Sequence, residues 1–182
     1  MKYFYDTEFH EDGSTIDLIS IGIVAEDGRE YYAVNSDMDH DRIATNDWLC
    51  QNVVPHLPLT RDKPTKSFAS NRWLWALDKR SVLVKPKWVI ANEVREFLLG
   101  CPNEPELWAD FGAYDHVALA QLFGKMVYLP KGLPMYTREF QQRLDALGRP
   151  QMPERIAGEH NALDDARHLK NCFDVTEHRS LE

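Results

Sequence analysis

Runs of apolar residues separated by turn signals predict three consecutive strands within the first 35 residues. They span residues 2–5, 18–25 and 30–34, and each is rich in the aromatic and β-branched side chains that favour strands. Asp27-Gly28 is a typical two-residue hairpin connection between the second and the third strand. We therefore expect these strands to form an antiparallel sheet.

Helical spacing replaces the strand pattern further along the chain. Residues 39–53 predict one helix, and Pro86 begins another, whose apolar residues recur at helical intervals as far as Gly100. The prolines between these helices predict an irregular connection. A short strand at 106–109 and helices at 115–123, 140–147 and 161–177 complete the pattern. This order predicts an α/β fold in which helices flank a mixed sheet, with three antiparallel strands followed by shorter parallel ones.

Length and composition predict a single domain. The chain has 182 residues, of which 43% are hydrophobic and 27% charged, as is usual for one globular unit of this size. We find no signal-peptide pattern and no apolar run long enough to span a membrane. Three widely spaced cysteines predict reduced thiols. The expected setting is therefore the cytoplasm, without membrane attachment.

The charge is unevenly distributed along the chain. The formal net charge is −8, yet residues 61–87 contain eight lysines and arginines against two aspartates, an excess of six positive charges. Tryptophans 73, 75 and 88 are interleaved with these cations. This segment, a basic insertion at about 55–88, could attract phosphates and stack on bases. Alternatively, it is a solvated loop whose tryptophans pack on the core.

Two carboxylates follow the first predicted strand at alternate positions. Asp6 and Glu8 come directly after Tyr3-Phe4-Tyr5, and side chains at i and i+2 lie on the same face of a strand. Like charges on one buried face are unfavourable unless a cation lies between them, and hard divalent cations prefer carboxylate oxygens. The alternative is that the strand ends at Asp6 and both acids are solvated.

A second polar cluster surrounds the start of the last predicted helix. Asn161 is a good N-cap, so His160 lies just outside that helix. Asp165 shares the apolar stripe of Ala162 and Leu169, whereas Asp164 lies on the polar face. A carboxylate within a buried stripe needs a partner.

A third cluster contains two candidate acids. Asp110 ends the short strand at 106–109, and Asp115 opens the helix that follows. Either could face a site. Asp115 shares a helical face with Ala118 and Leu119, which favours Asp115.

In chain order the clusters are Asp-x-Glu, then an aromatic residue followed by Asp, then His with an aspartate five residues on. This order resembles the DEDDh superfamily of 3′→5′ exonucleases (DnaQ-like, RNase H-like). The resemblance extends over essentially the whole chain, 1–182. Tyr-Phe-Tyr-Asp-Thr-Glu-Phe, Gly-Ala-Tyr-Asp-His-Val-Ala-Leu and His-Asn-Ala-Leu-Asp-Asp-Ala-Arg are most similar to the polyadenylate-specific exoribonucleases of actinobacteria. Phe111 stands where the superfamily usually has asparagine.

The resemblance implies a metal-dependent exoribonuclease with an RNase H-like fold. It would release nucleoside 5′-monophosphates from single-stranded RNA 3′ ends, with a possible preference for adenylate. Two Mg²⁺ ions, replaceable by Mn²⁺, would be bound by Asp6, Glu8, Asp115 and Asp165, with Asp6 bridging the pair. His160 would be the general base, and a homodimer would be the working unit.

The substrate contacts are interpreted from position alone. Thr7 lies between the two acids, where its backbone could bind the ribose, and Phe9 follows them and could stack on a base. Ser20 and Ile21 in the second strand could read a base edge. For each of the four, ordinary sheet packing is the alternative. Two further classes stay open for the whole protein. One is a 3′→5′ exonuclease acting on single-stranded DNA or on very short oligonucleotides, and the other is a catalytically silent nucleic-acid-binding module.

Overall fold

A mixed sheet runs through the protein, which is described by a computed structural model over residues 1–61, 63–155 and 158–179. In this part of the chain the sheet has six strands: β1 Lys2–Glu11, β2 Ile16–Ala25, β3 Glu30–Asn35, β6 Val84–Lys85, β7 Glu106–Ala109 and β8 Arg138–Glu139. Their order across the sheet is β6-β3-β2-β1-β7-β8. Strands β1, β2 and β3 are antiparallel, and the short strands β6, β7 and β8 each pair in parallel with their neighbour. The predicted α/β sheet is therefore confirmed.

The first strand is longer than its apolar run. Residues 2–5 were expected to form it, but β1 continues through both acids to Glu11 because β2 pairs with it along that length. The register of the pair shifts between Glu8 and Phe9. Such bulges bend a strand and often lie next to active sites. The alternative in which the strand ends at Asp6 is excluded.

Helices cover both faces of the sheet. They are α1 His40–Ile43, α2 Asp47–Asn52, α3 Lys87–Leu99, α4 Ala113–Gln121, α5 Phe140–Ala146 and α6 Ala162–Arg179. On one face Phe4 of β1 packs against Phe173 of α6, with 4.9 Å between the ring centroids. On the other face Tyr3 and Tyr5 belong to the core that α3 and α4 share with the sheet. Alternation along β1 thus places consecutive side chains in two separate apolar clusters.

The single helix predicted over residues 39–53 is wrong. Asp39 accepts a hydrogen bond from the Arg42 amide at 3.1 Å, and Asn46 accepts one from the Leu49 amide at 3.0 Å. Each side chain therefore begins its own short helix, α1 or α2. The second cap therefore divides the predicted helix into two.

The basic insertion contains a small hairpin made of β4 Thr65–Ser67 and β5 Arg72–Leu74. Trp73 and Trp75 pack against the cluster that contains Leu49 and Cys50. Trp88 is 68% exposed. The core-packing alternative therefore describes two of the three tryptophans. Asp62, one of the two acids counted in this segment, lies outside the described residues.

None of the helices in the described ranges is long and apolar enough to cross a membrane.

Candidate active site

Three carboxylates converge at the centre of the sheet. Asp6, Glu8 and Asp165 each bring an oxygen within 4.8 Å of the other two. Glu8 is buried, and the other two acids are partly exposed. Carboxylate oxygens at this spacing suit hard divalent cations such as Mg²⁺ or Mn²⁺. The donor set therefore fits the metal that the sequence analysis expects.

Strand geometry positions the first two acids. Asp6 pairs with Gly22 and Glu8 with Ser20, so both acids lie on the face of the sheet that α6 covers. On its other edge, β1 pairs with β7 only at Lys2–Phe4, so the edge beside the acids carries no strand among the described residues. Loops and helix ends can therefore reach the acids from that side.

The start of α6 positions the third acid. The side-chain oxygen of Asn161 accepts hydrogen bonds from the amides of Leu163 at 3.1 Å and Asp164 at 3.2 Å, as the predicted N-cap requires. Asp165 faces the cavity with 13% of its side chain exposed. Asp164 lies on the outer side of α6, where it forms an ion pair with Arg167 at 2.7 Å.

Asp115 reaches the site from the opposite face of the sheet. It is buried in the first turn of α4, and its Oδ1 accepts hydrogen bonds from the Thr7 amide at 2.8 Å and the Thr7 hydroxyl at 2.6 Å. Asp115 is not part of the cluster formed by the other three carboxylates. Thr7 lies between Asp6 and Glu8, so these bonds link α4 to the segment of β1 that carries both acids.

A cavity of about 510 Å³ contains the three clustered acids. The other acid that the third cluster offered, Asp110, lines this cavity and accepts a hydrogen bond from Gln141 Nε2 at 2.8 Å. The described lining is completed by side chains from β1, the loop before α4, α5, the connection between α5 and α6, and α6: Thr7, Phe111, Phe140, Gln141, Leu144, Met152, Arg155, Glu159, His160, His168, Leu169 and Cys172.

Burial and neighbouring negative charges raise the pKa values of the acids at the site. Burial, together with the charges of Asp115 and Glu8, raises the pKa of Asp6 well above its ordinary value. Burial and the charge of Asp115 raise the pKa of Glu8 to about 7. Burial also raises the pKa of Asp115 to about 6, against the hydrogen bonds from Thr7. A divalent cation would reverse these shifts because it favours the ionised carboxylates.

His160 lies on the rim of the same cavity. Its backbone is in the left-handed region, with φ at 65°, a conformation that is uncommon for a residue other than glycine and often marks a functional site. Its ring contacts Trp48 of α2 edge to face, with 4.8 Å between the centroids. The imidazole thus lies beside the carboxylates without being one of their cluster.

The four expected substrate contacts separate into two groups. Thr7 lines the cavity, and Phe9 lies in an adjoining groove with Trp48 and stacks on Tyr114 at 5.9 Å. Ser20 and Ile21 are completely buried in β2. The structure does not bring either of them to the cavity surface.

Three residues at or beside the site are absent from the set that the sequence predicts. Arg155 comes from the connection between α5 and α6 and forms an ion pair with Asp165. Trp48 lies on α2, the second of the two short helices. Phe111, with φ at 54° and 71% exposure, lines the cavity, and its amide donates to Glu139 at 2.9 Å. The departure from asparagine at Phe111 was the only available clue.

Comparison with known proteins gives a consistent result. The family model of the 3′-5′ exoribonuclease Rv2179c-like domain matches residues 1–176. The 3′-5′ exoribonucleases Rv2179c and MT2234.1, from two strains of Mycobacterium tuberculosis, are each 46% identical over 168 residues, which cover 92% of this chain and 88% of the relative.

A solved structure has a similar fold. The Mg²⁺- and Mn²⁺-bound form of S. pombe Pop2p superposes with a TM-score of 0.50 at 14% identity, covering 98% of this chain and 82% of Pop2p. The family model and the two relatives confirm the expected class of 3′-5′ exoribonucleases. The likeness to Pop2p confirms the expected fold.

Proposed function

The chain belongs to the Rv2179c-like family of 3′-5′ exoribonucleases, and we propose that it uses divalent cations to release nucleoside 5′-monophosphates from the 3′ ends of single-stranded RNA. The ions would be two Mg²⁺, replaceable by Mn²⁺, and the preferred 3′ nucleotide would be adenylate. Pop2p, which shares the fold, was solved in its Mg²⁺- and Mn²⁺-bound form.

One observation carries the metal part of this proposal: three carboxylates from two elements lie within 4.8 Å of one another inside a cavity. Asp6, Glu8 and Asp165 would bind the ions. Asp115, which lies outside this cluster, would complete the set. Divalent cations bound there would stabilise the charge that develops on the scissile phosphate.

His160 would act as the general base of the reaction. Its ring lines the cavity beside the carboxylates and contacts Trp48, and a neutral imidazole nitrogen can accept a proton. His160 would accept a proton from the attacking water while the water oxygen bonds to phosphorus. The bond to the 3′ oxygen of the preceding nucleotide breaks, and that oxygen takes a proton from solvent. A general base of this kind contributes about 10²–10⁴-fold to the rate.

The basic insertion would guide the RNA strand toward the cavity. Asp47 of α2 binds Lys66 at 2.6 Å and the Trp73 indole at 2.8 Å, and the next residue, Trp48, contacts His160. Arg61 and Lys63 border a groove of about 370 Å³ beside Trp75. Cations next to an aromatic ring favour binding of single-stranded nucleic acid.

The proposed working unit is a homodimer in which the insertion flanks a catalytic cavity. Five large side chains between residues 126 and 136 are exposed: Met126, Val127, Tyr128, Met135 and Tyr136. Exposed apolar surface of this kind favours protein contacts. Light scattering after gel filtration at several concentrations would measure the mass.

The proposed location is the cytoplasm. The three cysteines, Cys50, Cys101 and Cys172, are free thiols. Reduced thiols are typical of proteins in reducing compartments.

A time course on labelled oligonucleotides tests the activity. We expect 5′-labelled RNA to shorten stepwise and 3′-labelled RNA to release one labelled mononucleotide in Mg²⁺ or Mn²⁺, with no reaction in EDTA. Poly(A) and poly(U) tails on the same body would measure the base preference. Faster shortening of matched DNA would favour a deoxyribonuclease, and binding without shortening would favour a silent module.

Matched variants connect the activity to the site. Asp165→Asn should abolish shortening, whereas Asp164→Asn should keep it, because only Asp165 faces the cavity. His160→Ala should bind Mn²⁺ and RNA yet turn over slowly. Arg61→Gln with Lys63→Gln should weaken binding of long RNA and leave a dinucleotide unaffected. Lys79→Gln with Arg80→Gln removes the same charge from the insertion away from the groove and serves as the control.

A further inference from the structure

One cation borders the acidic cavity in an unusual position. Among the described residues that line it, Arg155 is the only lysine or arginine, against the five acids Asp6, Glu8, Asp110, Glu159 and Asp165. Its guanidinium forms an ion pair with Asp165 Oδ1, and 28% of the side chain is exposed. Arg155 therefore bonds to one of the three carboxylates of the proposed metal site.

The charge of Arg155 also acts on the other two acids of the cluster. It opposes the rise in pKa that burial causes at Asp6 and Glu8. A guanidinium is always charged and donates in a fixed, planar geometry that fits carboxylates and phosphates equally well. Arg155 thus offsets the mutual repulsion that crowding creates among the acids.

A divalent cation bound to Asp165 would repel the guanidinium of Arg155 and weaken its ion pair with this carboxylate. Metal binding therefore favours release of Arg155 into the cavity that receives the phosphate groups of the RNA. No other lysine or arginine in the described lining is available to bind a phosphate there. Arg155 is therefore placed to exchange a carboxylate for a phosphate within the same cavity.

Resting on the function proposed above, we propose that Arg155 is the internal counter-ion of the Asp6, Glu8 and Asp165 cluster, that divalent cations displace it from Asp165, and that the displaced guanidinium binds a phosphate of the RNA. Arg155 is then a substrate-binding residue whose availability depends on the metal. Metal binding and RNA binding become coupled through this one side chain.

Calorimetric titration with Mn²⁺ in the absence of RNA tests the first step. Arg155→Gln should bind Mn²⁺ about tenfold more tightly than the natural protein, because the ions no longer compete with a guanidinium at close range. The metal-free variant should also melt at a lower temperature. The Mn²⁺ affinity of Arg155→Lys should fall between that of the natural protein and that of Arg155→Gln. The lysine variant keeps the test valid if the glutamine variant folds poorly. Arg167→Gln removes the same charge from α6 at Asp164 and should leave Mn²⁺ affinity unchanged.

Fluorescence anisotropy with labelled RNA tests the second step. In a His160→Ala background, which keeps the RNA intact, adding Arg155→Gln should weaken RNA binding in Mn²⁺. The slope of log affinity against log salt should fall by about 0.7, as expected for one lost phosphate contact on a single strand. The Arg167→Gln control should keep the slope.

The outcomes separate this inference from the proposed function. Unchanged Mn²⁺ affinity or an unchanged salt slope in Arg155→Gln, beside a natural protein that binds Mn²⁺ and degrades RNA, would overturn the role of Arg155 alone. A natural protein that binds no divalent cation would overturn the metal-dependent function itself.

Discussion

Gly22 lies so close to α6 that a β-carbon on it would be 2.3 Å from the backbone nitrogen of Leu163. Gly22 is also the strand partner of Asp6. The absence of a side chain at this one position therefore lets α6 approach β1 and β2 closely enough to bring Asp165 beside Asp6 and Glu8. The carboxylate cluster depends on a glycine that belongs to neither of its elements.

We expect Gly22→Ala to separate the cluster. The added methyl group meets backbone atoms of α6, at 2.3 Å from Leu163 and 2.4 Å from Ala162, so the helix must move. Overpacking of this kind costs about 1–3 kcal/mol of the free energy of unfolding. Urea titration would measure that loss, and Mn²⁺ titration should show weaker binding by the folded variant. Natural affinity for Mn²⁺ in this variant would mean that the cluster tolerates displacement of α6.

Asp115 combines two roles that substitutions can separate. Its Oδ1 accepts the Thr7 amide and hydroxyl, which would lose their partner in Asp115→Ala. Asp115→Asn keeps the acceptor and removes the charge. We expect the free energy of unfolding of the asparagine variant to be about 1–3 kcal/mol higher than that of the alanine variant. Both variants should lose exoribonuclease activity. Equal stability of the two variants would contradict a structural role for these hydrogen bonds.

Local patterns explain how much of the site could be predicted. Alternation places Asp6 and Glu8 on one face, and the apolar stripe of α6 separates Asp165 from Asp164, because each depends on a short stretch of chain. The bonds between Asp115 and Thr7 join residues 108 positions apart. These bonds depend on how α4 packs against β1. The spacing of apolar residues within either element does not specify that packing.

The residues that were not predicted lie where periodicity ends. Arg155 belongs to an irregular connection, so its direction depends on the packing of α5 and α6. The sequence predicts one helix over residues 39–53, but two caps divide it into α1 and α2. Trp48 contacts His160 from α2. The sequence therefore predicts which elements carry the chemistry better than it predicts the loops that complete it.

The metal should stabilise the protein in a pH-dependent manner. The pKa of Glu8 is raised from 4.5 to about 7 and that of Asp115 from 3.8 to about 6. Without metal, the folded state therefore loses stability as pH rises from about 4 to 7, because these acids ionise more readily in the unfolded chain. Bound cations remove that penalty. The rise in melting temperature on adding Mg²⁺ or Mn²⁺ should be several-fold larger at pH 7.5 than at pH 5.

Two controls accompany this measurement. Glu8→Gln removes one titrating group and should flatten the pH dependence of the metal-free melting temperature. Asp164→Asn, which removes a carboxylate outside the cavity, should leave the dependence as it is. The same increment from metal at both pH values would show that the carboxylates are not the groups the cation stabilises.

Phe111 should contribute to RNA binding at a cost in stability. Its backbone φ of 54° lies in the left-handed region, where asparagine is tolerated far better than phenylalanine, so Phe111→Asn should raise the free energy of unfolding by about 1 kcal/mol. Its ring is 71% exposed on the cavity wall, where a terminal base can stack on it. We therefore expect Phe111→Asn to raise KM for RNA about fivefold or more, since base–aromatic stacking contributes about 1–3 kcal/mol. Phe111→Tyr keeps the ring and should keep KM. An asparagine variant that is more stable and equally active would mean that the strained backbone has no part in binding the substrate.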